Sequence, residues 1–207
     1  MKRSIVLIGF SATGKSAIGQ RLASRLGWAF VDTDIEVMER AGKSMAEIMH
    51  GQGEEAFRRL EHRVLALATR RHDVVIAAGA GATLLAKNRE LLAHTSYVVC
   101  LEAKPETIHA RLLRDVEAGG NPIALMLTQR EDAIDHIAYL KQFRQPYYAI
   151  GDWTVHTDHL SLDDVVEEVV RGWRFYERAG DDPAVTSPVT PRYPLGDAHE
   201  SDAPYVP

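Results

Sequence analysis

Residues 9 to 16 have the types and the spacing of a loop that binds phosphate. They read Gly-Phe-Ser-Ala-Thr-Gly-Lys-Ser, which fits the pattern G-x-x-x-x-G-K-[ST]. The glycines let backbone N–H groups converge on an anion, Lys15 adds positive charge for the terminal phosphates, and Ser16 offers a hydroxyl oxygen to Mg²⁺. An apolar run, Ile5 to Ile8, precedes the loop and a helical pattern follows it. The sequence therefore predicts a nucleotide phosphate site at Ser11, Ala12, Thr13, Gly14, Lys15, Ser16 and Ala17.

Two carboxylates follow the second predicted strand. Asp32 and Asp34 are separated by one residue, after the apolar stretch of residues 28–31. In extended backbone such residues point to the same side, so both are expected near the phosphate loop. We assign Asp32 to the shell of a Mg²⁺ ion, through water, and Asp34 to an attacking hydroxyl, as acceptor of its hydrogen bond or proton. The competing interpretation is that Asp34 only caps a helix predicted from Ile35 to Ala41.

A further pair of charged residues lies on a predicted helix. Arg58 and Glu61 are three positions apart and can touch on the helix surface. A guanidinium held by Glu61 is a suitable fork for a carboxylate on a substrate, whereas a solvated ion pair of this kind has little energetic value. The helix alone leaves both interpretations open. Arg144, which comes shortly before Pro146, looks by itself like an ordinary cation at a helix end.

Composition narrows the class of protein. The chain has 207 residues, of which 45% are hydrophobic and 26% are charged, and this suits a single α/β domain with a sizeable core. The formal net charge of −5 and the lack of a basic run argue against a nucleic-acid-binding platform. No apolar stretch is long enough to span a membrane, and Cys100 is the only cysteine. We expect a cytoplasmic protein, monomeric or weakly associating, that acts on a small molecule.

Predicted strands alternate with predicted helices along the chain. This alternation indicates an α/β fold whose parallel sheet is covered on both faces, with ligand-binding loops at the carboxyl ends of the strands. The helical pattern loosens between residues 115 and 130, which predicts a mobile lid. The domain is expected to cover residues 1–179. Residues 180–207 hold six of the nine prolines and are expected to form a disordered tail.

The motifs, taken in order, resemble those of the shikimate kinase family. The phosphate loop is followed by Asp32-Thr33-Asp34, by Gly53-Glu54-Glu55-Ala56-Phe57-Arg58-Arg59-Leu60-Glu61, by Gly79-Ala80-Gly81-Ala82 and by Arg144-Gln145-Pro146-Tyr147-Tyr148. The resemblance implies a three-layer α/β/α P-loop kinase fold with a five-stranded parallel sheet in the order 2-3-1-4-5 and a mobile lid. It also implies that ATP, with Mg²⁺, donates its γ-phosphoryl group to the 3-hydroxyl of shikimate, on the pathway to chorismate.

The resemblance also assigns roles that the motifs alone leave open. Lys15 and Ser16 match the phosphate and Mg²⁺ residues, and Asp34 matches the carboxylate that binds the substrate hydroxyls and is the candidate base. We take Asp34 and Lys15 as the catalytic residues. Arg58 and Arg144 match the pair that grips the carboxylate of shikimate. The backbone of the loop at residues 79–81 matches a glycine loop that helps to bind the substrate. The substrate-binding residues implied by the resemblance are Asp34, Phe57, Arg58, Gly79, Ala80, Gly81 and Arg144.

Two departures from the family pattern leave the acceptor open. Ala80 replaces the middle glycine, and its methyl group narrows the pocket or strains the loop if that position needs a positive φ. Asn121 stands where the family has a lid arginine that reaches the transferring phosphate. Arg111, Arg114 and Arg130 are cations that can replace it, and we include the first two in the nucleotide site. The alternatives are a kinase for another polyhydroxy carboxylic acid and a nucleotide-binding regulatory homologue with little turnover.

Overall fold

A parallel five-stranded sheet lies at the centre of the computed structural model, which describes residues 2–119 and 122–180. The strand order is β2-β3-β1-β4-β5, and every neighbouring pair is parallel. The order and the direction of the predicted sheet are therefore confirmed. The strands are β1 (Ser4–Ile8), β2 (Ala29–Asp32), β3 (Val74–Ala77), β4 (Tyr97–Glu102) and β5 (Trp153–His156).

Helices connect the strands and cover both faces of the sheet. Side chains alternate between the faces, so that Ile5 and Leu7 pack under the first and last helices, whereas Val6 and Ile8 pack under the third, fourth and seventh. The three predicted layers are therefore confirmed. The helices are α1 (Lys15–Leu26), α2 (Thr33–Ala41), α3 (Met45–Ala68), α4 (Ala86–Thr95), α5 (Pro105–Glu117), α6 (Pro122–Thr128), α7 (Ala133–Tyr148) and α8 (Leu162–Gly180), with a short 3₁₀ turn at Ala82–Leu84.

The register of the sheet brings the chemical loops together. Leu7 of β1 and Asp32 of β2 both pair with Ala77, the last residue of β3. The loops that follow these three strands therefore leave the sheet side by side at its carboxyl edge. This is the edge at which parallel α/β sheets bind ligands.

One predicted helix boundary near this edge was wrong. Helix α2 begins at Thr33 rather than at Ile35, because the Asp32 side chain accepts hydrogen bonds from the N–H groups of Asp34 and Ile35 and caps the helix directly after the strand. Gly51 and Gly53 also predict an interruption before the longer helix that Glu54 opens, and the structure has a kink there, at which Gly53 leaves the helical conformation with φ 79°.

The predicted lid is in large part helical. Residues 115–130 include the last turn of α5 and the whole of α6, which packs against α5 and α7 through Ala124 and Leu127. The motion of this segment stays a prediction. Asn121 and the tail from residue 181 lie outside the described residues. No helix in the described ranges has both the length and the apolar character needed to cross a membrane.

Candidate active site

A cavity of about 390 Å³ opens at the carboxyl edge of the sheet, between the phosphate loop, the start of α2, helix α3 and the loop after β3. Its wall includes most of the residues that the sequence singles out, together with several that it does not. The residues lining it are Ser11, Ala12, Gly14, Lys15, Ser16, Ala17, Asp32, Asp34, Met45, Phe57, Arg58, Glu61, Ala77, Ala78, Ala80, Gly81, Arg111, Leu112 and Asp115.

The phosphate loop turns through left-handed backbone conformations. Gly9 and Gly14 have φ values of 138° and 98°, and the loop also places Ala12 at φ 58°, a region that residues with a side chain seldom adopt. Lys15 folds back over the loop, where its Nζ donates to the carbonyl oxygens of Gly9 at 3.0 Å and Phe10 at 2.9 Å. Burial lowers the pKa of Lys15 to about 8, although nearby carboxylates oppose the shift. The ammonium group is thus held at the point where phosphate is expected.

Ser16 and Asp32 form a pair of oxygen ligands beside the phosphate loop. The Ser16 hydroxyl donates to Asp32 Oδ2 at 2.5 Å, while the other carboxylate oxygen accepts the backbone N–H of Asp34 at 3.1 Å. The cap on α2 therefore fixes the carboxylate that faces Ser16. A hydroxyl oxygen and a carboxylate oxygen are ligands that suit Mg²⁺, a hard cation.

Asp34 lies one residue into helix α2 and faces the cavity. The argument that placed it beside Asp32 in extended backbone was wrong, because residues 33 and 34 are helical. The two carboxylates still meet at the cavity wall. Burial and the neighbouring Glu61 carboxylate raise the pKa of Asp34 to about 7, a shift that Lys15 opposes. Because Asp32 provides the helix cap, the interpretation of Asp34 as only a capping residue is wrong.

Arg58 and Glu61 form a buried pair rather than a solvated one. Arg58 Nη1 lies 2.9 Å from Glu61 Oε2, and the two side chains are only 14% and 2% exposed. Burial raises the pKa of Glu61, whereas the charge of Arg58 opposes the shift. The ion pair orients the guanidinium at the cavity wall, and Arg58 Nη2 also lies 3.5 Å from Glu54 Oε1. A guanidinium is the side-chain group whose planar geometry matches a carboxylate in two parallel hydrogen bonds.

The loop at residues 79–81 approaches two of these side chains closely. The N–H of Gly79 donates to the Thr33 hydroxyl at 2.8 Å, and a Cβ atom at Gly79 would collide with the Asp34 carboxylate. A Cβ atom at Gly81 would lie 2.5 Å from Arg58 Nη1. Among the described non-glycine residues only Ala12 and Asp73 have positive φ, so Ala80 carries no such strain and its methyl group belongs to the wall.

Four predicted site residues do not line the cavity, namely Thr13, Gly79, Arg114 and Arg144, whereas Arg111 does. Thr13 is fully buried and donates its hydroxyl to the Phe10 carbonyl oxygen at 2.9 Å. Arg111 lines the cavity, tied to the carbonyls of Ala12 and Thr157, whereas Arg114 is exposed and bonds within its own helix. Arg144 is 2% exposed and lies behind the loop, with Nη1 3.4 Å from the Ala80 carbonyl oxygen.

Several lining residues were not predicted as part of the site. Glu61 was expected only to hold Arg58, Met45 was expected in the core or a pocket wall rather than as a site residue, and Leu112 and Asp115 were given no role. Helical spacing was the available signal for Asp115, which lies four residues after Arg111 and therefore on the same face of α5. Met45 had no such signal, because only the packing of α2 against α3 brings the start of α3 to the cavity.

Comparisons with known proteins agree with this geometry. The sequence profile of the family described as "Shikimate kinase" matches residues 11–173. The chain is 40% identical to a shikimate kinase of Symbiobacterium thermophilum over 81% of this chain and 94% of that one. It is 42% identical to a shikimate kinase of Nitratidesulfovibrio vulgaris over 80% and 92% of the two chains. A solved structure, shikimate kinase from Acinetobacter baumannii in complex with shikimate, superposes with a TM-score of 0.74 at 29% identity, covering 86% of this chain and 96% of that one. The chain belongs to the shikimate kinase family.

Proposed function

We propose that this protein transfers the γ-phosphoryl group of ATP to the 3-hydroxyl of shikimate. The observation that carries the proposal is a single cavity holding a phosphate loop with Lys15, the carboxylate of Asp34 and the buried Arg58–Glu61 pair. Such a cavity provides for a phosphate donor, a hydroxyl acceptor and a carboxylate on that acceptor. The product would be shikimate 3-phosphate, on the route to chorismate and the aromatic amino acids, and we expect the reaction to take place in the cytoplasm.

On the donor side, the phosphate loop would bind the β- and γ-phosphates. Convergent N–H groups of the loop and the N-terminus of α1 attract the anion, and Lys15 supplies a charge for the transferring group. Arg111 lines the same side of the cavity, where its guanidinium is fixed by Thr157. Ser16 and Asp32 would hold Mg²⁺, which would neutralise charge on the phosphate oxygens.

On the acceptor side, Arg58 would bind the carboxylate of shikimate and Asp34 its reacting hydroxyl. Glu61 keeps the guanidinium oriented before the substrate arrives. The Arg58 side chain therefore loses less conformational entropy when the substrate binds. Asp34 lies beside Lys15 and can take the proton of the hydroxyl as the phosphoryl group arrives. Arg144, now against the Ala80 carbonyl, stays our second predicted contact for the substrate carboxylate.

A direct test of the proposal measures ADP release in a coupled assay with MgATP. We expect shikimate to raise turnover far above the rate with ATP alone. Quinate and gluconate, which are also hydroxy carboxylic acids, serve as competing acceptors because they share the carboxylate but differ in the ring or in the hydroxyl pattern. Binding of ATP without stimulation by shikimate would contradict the proposed function, and stronger stimulation by another acid would redirect it.

The pH dependence of kcat/KM for shikimate should be bell-shaped and narrow. Asp34 acts in its ionised form, so the rate should rise with pH through its pKa of about 7. Lys15 acts in its protonated form, so the rate should fall as pH rises through its pKa of about 8. Initial rates between pH 5.5 and 9.5 at low shikimate check this. A flat acid side down to pH 5.5 would remove Asp34 from the base role.

The loop at residues 79–81, the acceptor loop, contains two glycines that should give separable kinetic defects when replaced by alanine. Gly79→Ala places a methyl group against Asp34 and should mainly lower kcat, whereas Gly81→Ala displaces Arg58 and should mainly raise the KM for shikimate. A misplacement of about 1 Å can cost about 100-fold in rate. Gly51→Ala is the matched control, since an added Cβ there has no atom within 4 Å. Identical defects in both glycine variants would contradict this division.

A further inference from the structure

A buried guanidinium behind the cavity connects two parts of the acceptor site. Arg89 lies on α4, is 8% exposed and does not line the cavity. Its Nη1 donates to the carbonyl oxygens of Thr83 and Leu84, both at 2.8 Å. The same guanidinium lies over the ring of Tyr147 on α7, 4.9 Å from its centroid. Arg89 thus contacts both the 3₁₀ turn that follows the acceptor loop and the helix that carries Arg144.

The neighbouring residue on α4 completes the support of the 3₁₀ turn. Asn88 is fully buried, and its Nδ2 donates to the Ala82 carbonyl oxygen at 2.9 Å. Its Oδ1 lies 2.6 Å from His62 Nδ1 on α3. Carbonyl groups at the end of so short a helix have no partners within the helix, and buried ones need partners elsewhere. Asn88 and Arg89 together supply donors to all three residues of the turn.

Two backbone hydrogen bonds connect the 3₁₀ turn to the acceptor loop. The N–H groups of Ala82 and Leu84 donate to the carbonyl oxygens of Gly79 and Gly81, each at 3.0 Å. Those two glycines are the ones that lie directly against Asp34 and Arg58. A shift of the turn would therefore move the loop relative to Asp34 and to the Arg58 guanidinium.

We propose that Arg89 is a positioning residue for the acceptor. Its guanidinium fixes the position of the acceptor loop relative to α7. It thereby sets the distance between Arg58, which lies against the loop, and Arg144, which α7 carries. Arginine suits this task because the two N–H groups of Nη1 can bond to two carbonyl oxygens while the face of the guanidinium stacks on an aromatic ring. The predicted effect on shikimate rests on the proposed function, whereas the predicted effect on the loop does not.

The variant Arg89→Met tests the proposal, because methionine keeps much of the side-chain volume but donates no hydrogen bond. We expect kcat/KM for shikimate to fall about 10- to 100-fold, the loss that a misplaced acceptor loop can cause. The fall should come mostly from a higher KM for shikimate. The KM for ATP should stay unchanged, since the described contacts of Arg89 do not include the phosphate loop.

A matched control separates positioning from loss of stability. Val169 is fully buried on α8, at the opposite face of the sheet, so Val169→Ala should lower the melting temperature without moving the acceptor loop. We expect this variant to keep the wild-type KM for shikimate. If Arg89→Met lowers the melting temperature but raises the KM no more than Val169→Ala does, the positioning role is overturned.

Amide hydrogen exchange tests the same proposal without any substrate. The amides of Ala82 and Leu84 should exchange faster in Arg89→Met than in the wild type, while those of α8 should not change. If the amides of Ala82 and Leu84 exchange at the same rate in Arg89→Met as in the wild type, the proposal is overturned. If the wild type fails to phosphorylate shikimate but the two amides respond as expected, the proposed function fails and the positioning of the loop by Arg89 stands.

Discussion

Asp34→Asn is expected to lower kcat about 10²- to 10⁴-fold, the usual contribution of a general base, while affinity for ATP stays close to that of the wild type. Asparagine keeps the size of the side chain and can accept a hydrogen bond, but it cannot take a proton from the substrate hydroxyl. The coupled ADP-release assay at saturating shikimate measures kcat. Equilibrium titration with ATP measures donor binding in the same variant.

The control for this substitution removes a carboxylate far from the cavity. Asp163 is exposed at the start of α8, paired with Arg21 at 2.7 Å, so Asp163→Asn should have wild-type kinetics. The acid limb of the pH profile should also disappear from the residual activity of Asp34→Asn. A kcat that stays within about tenfold of the wild type, with the acid limb intact, would exclude Asp34 as the base.

The same substitution should raise stability near neutral pH. Because the pKa of Asp34 rises on folding from 3.8 to about 7, the folded protein binds this proton more tightly, and the free energy of unfolding falls as pH increases through that window. Asparagine does not ionise, so the variant avoids the loss of stability that comes from ionising Asp34 in the folded protein. That loss is on the order of a few kcal/mol at most. Melting temperatures at pH 5 and pH 8 should show the advantage of the variant growing with pH.

Arg58→Ala is expected to raise the KM for shikimate about 30- to 1,000-fold, which corresponds to about 2–4 kcal/mol for truncating one partner of a buried charged contact. The KM for ATP should change little, because Arg58 lies on the acceptor side of the cavity. The variant also leaves Glu61 buried without its ion-pair partner. We therefore expect a loss of about 3–5 kcal/mol in the free energy of unfolding.

Two further variants separate acceptor binding from stability. Arg59 is the next residue on α3, is 60% exposed and pairs with the exposed Glu55, so Arg59→Ala should leave the KM and the melting temperature almost unchanged. Adding Glu61→Gln to Arg58→Ala should recover stability but not the KM for shikimate. An unchanged KM in Arg58→Ala itself would mean that the carboxylate of the acceptor binds elsewhere.

Much of the architecture could be predicted from local sequence. The alternation of strand and helix patterns and the resemblance to a known family together predicted a parallel sheet in the order that is observed. The phosphate loop is a short pattern with a direct mechanical cause, and it is present before α1. Ser44-Met45-Ala46-Glu47 has the spacing of a capping box, and the structure has that box at the start of α3. The start of α2 was misplaced because Asp32 ends the strand and caps the helix at once, which leaves no connecting loop to detect.

Burial determines which of the charged pairs are enclosed by the protein and which are solvated. From the sequence, the pair Arg58 and Glu61, three residues apart, could not be told from an ordinary surface pair such as Glu55 and Arg59, four residues apart. Only the packing of α3 against the sheet shows that the first pair is enclosed and the second is solvated. The same holds for Arg89, which has no recognisable motif and becomes important only because α4 lies behind the acceptor loop.

The sequence by itself determined the phosphate loop, because its residues are adjacent in the chain. The resemblance of the ordered motifs to a known family predicted the family and the order of the strands. The acceptor half joins α2, α3 and the loop after β3, and its geometry depends on contacts between distant segments. Gly79 against Asp34 and Gly81 against Arg58 are contacts of that kind. Tertiary structure alone decided them, because the closeness of two backbones and the burial of a charge are set by packing and leave no pattern in a local stretch of sequence.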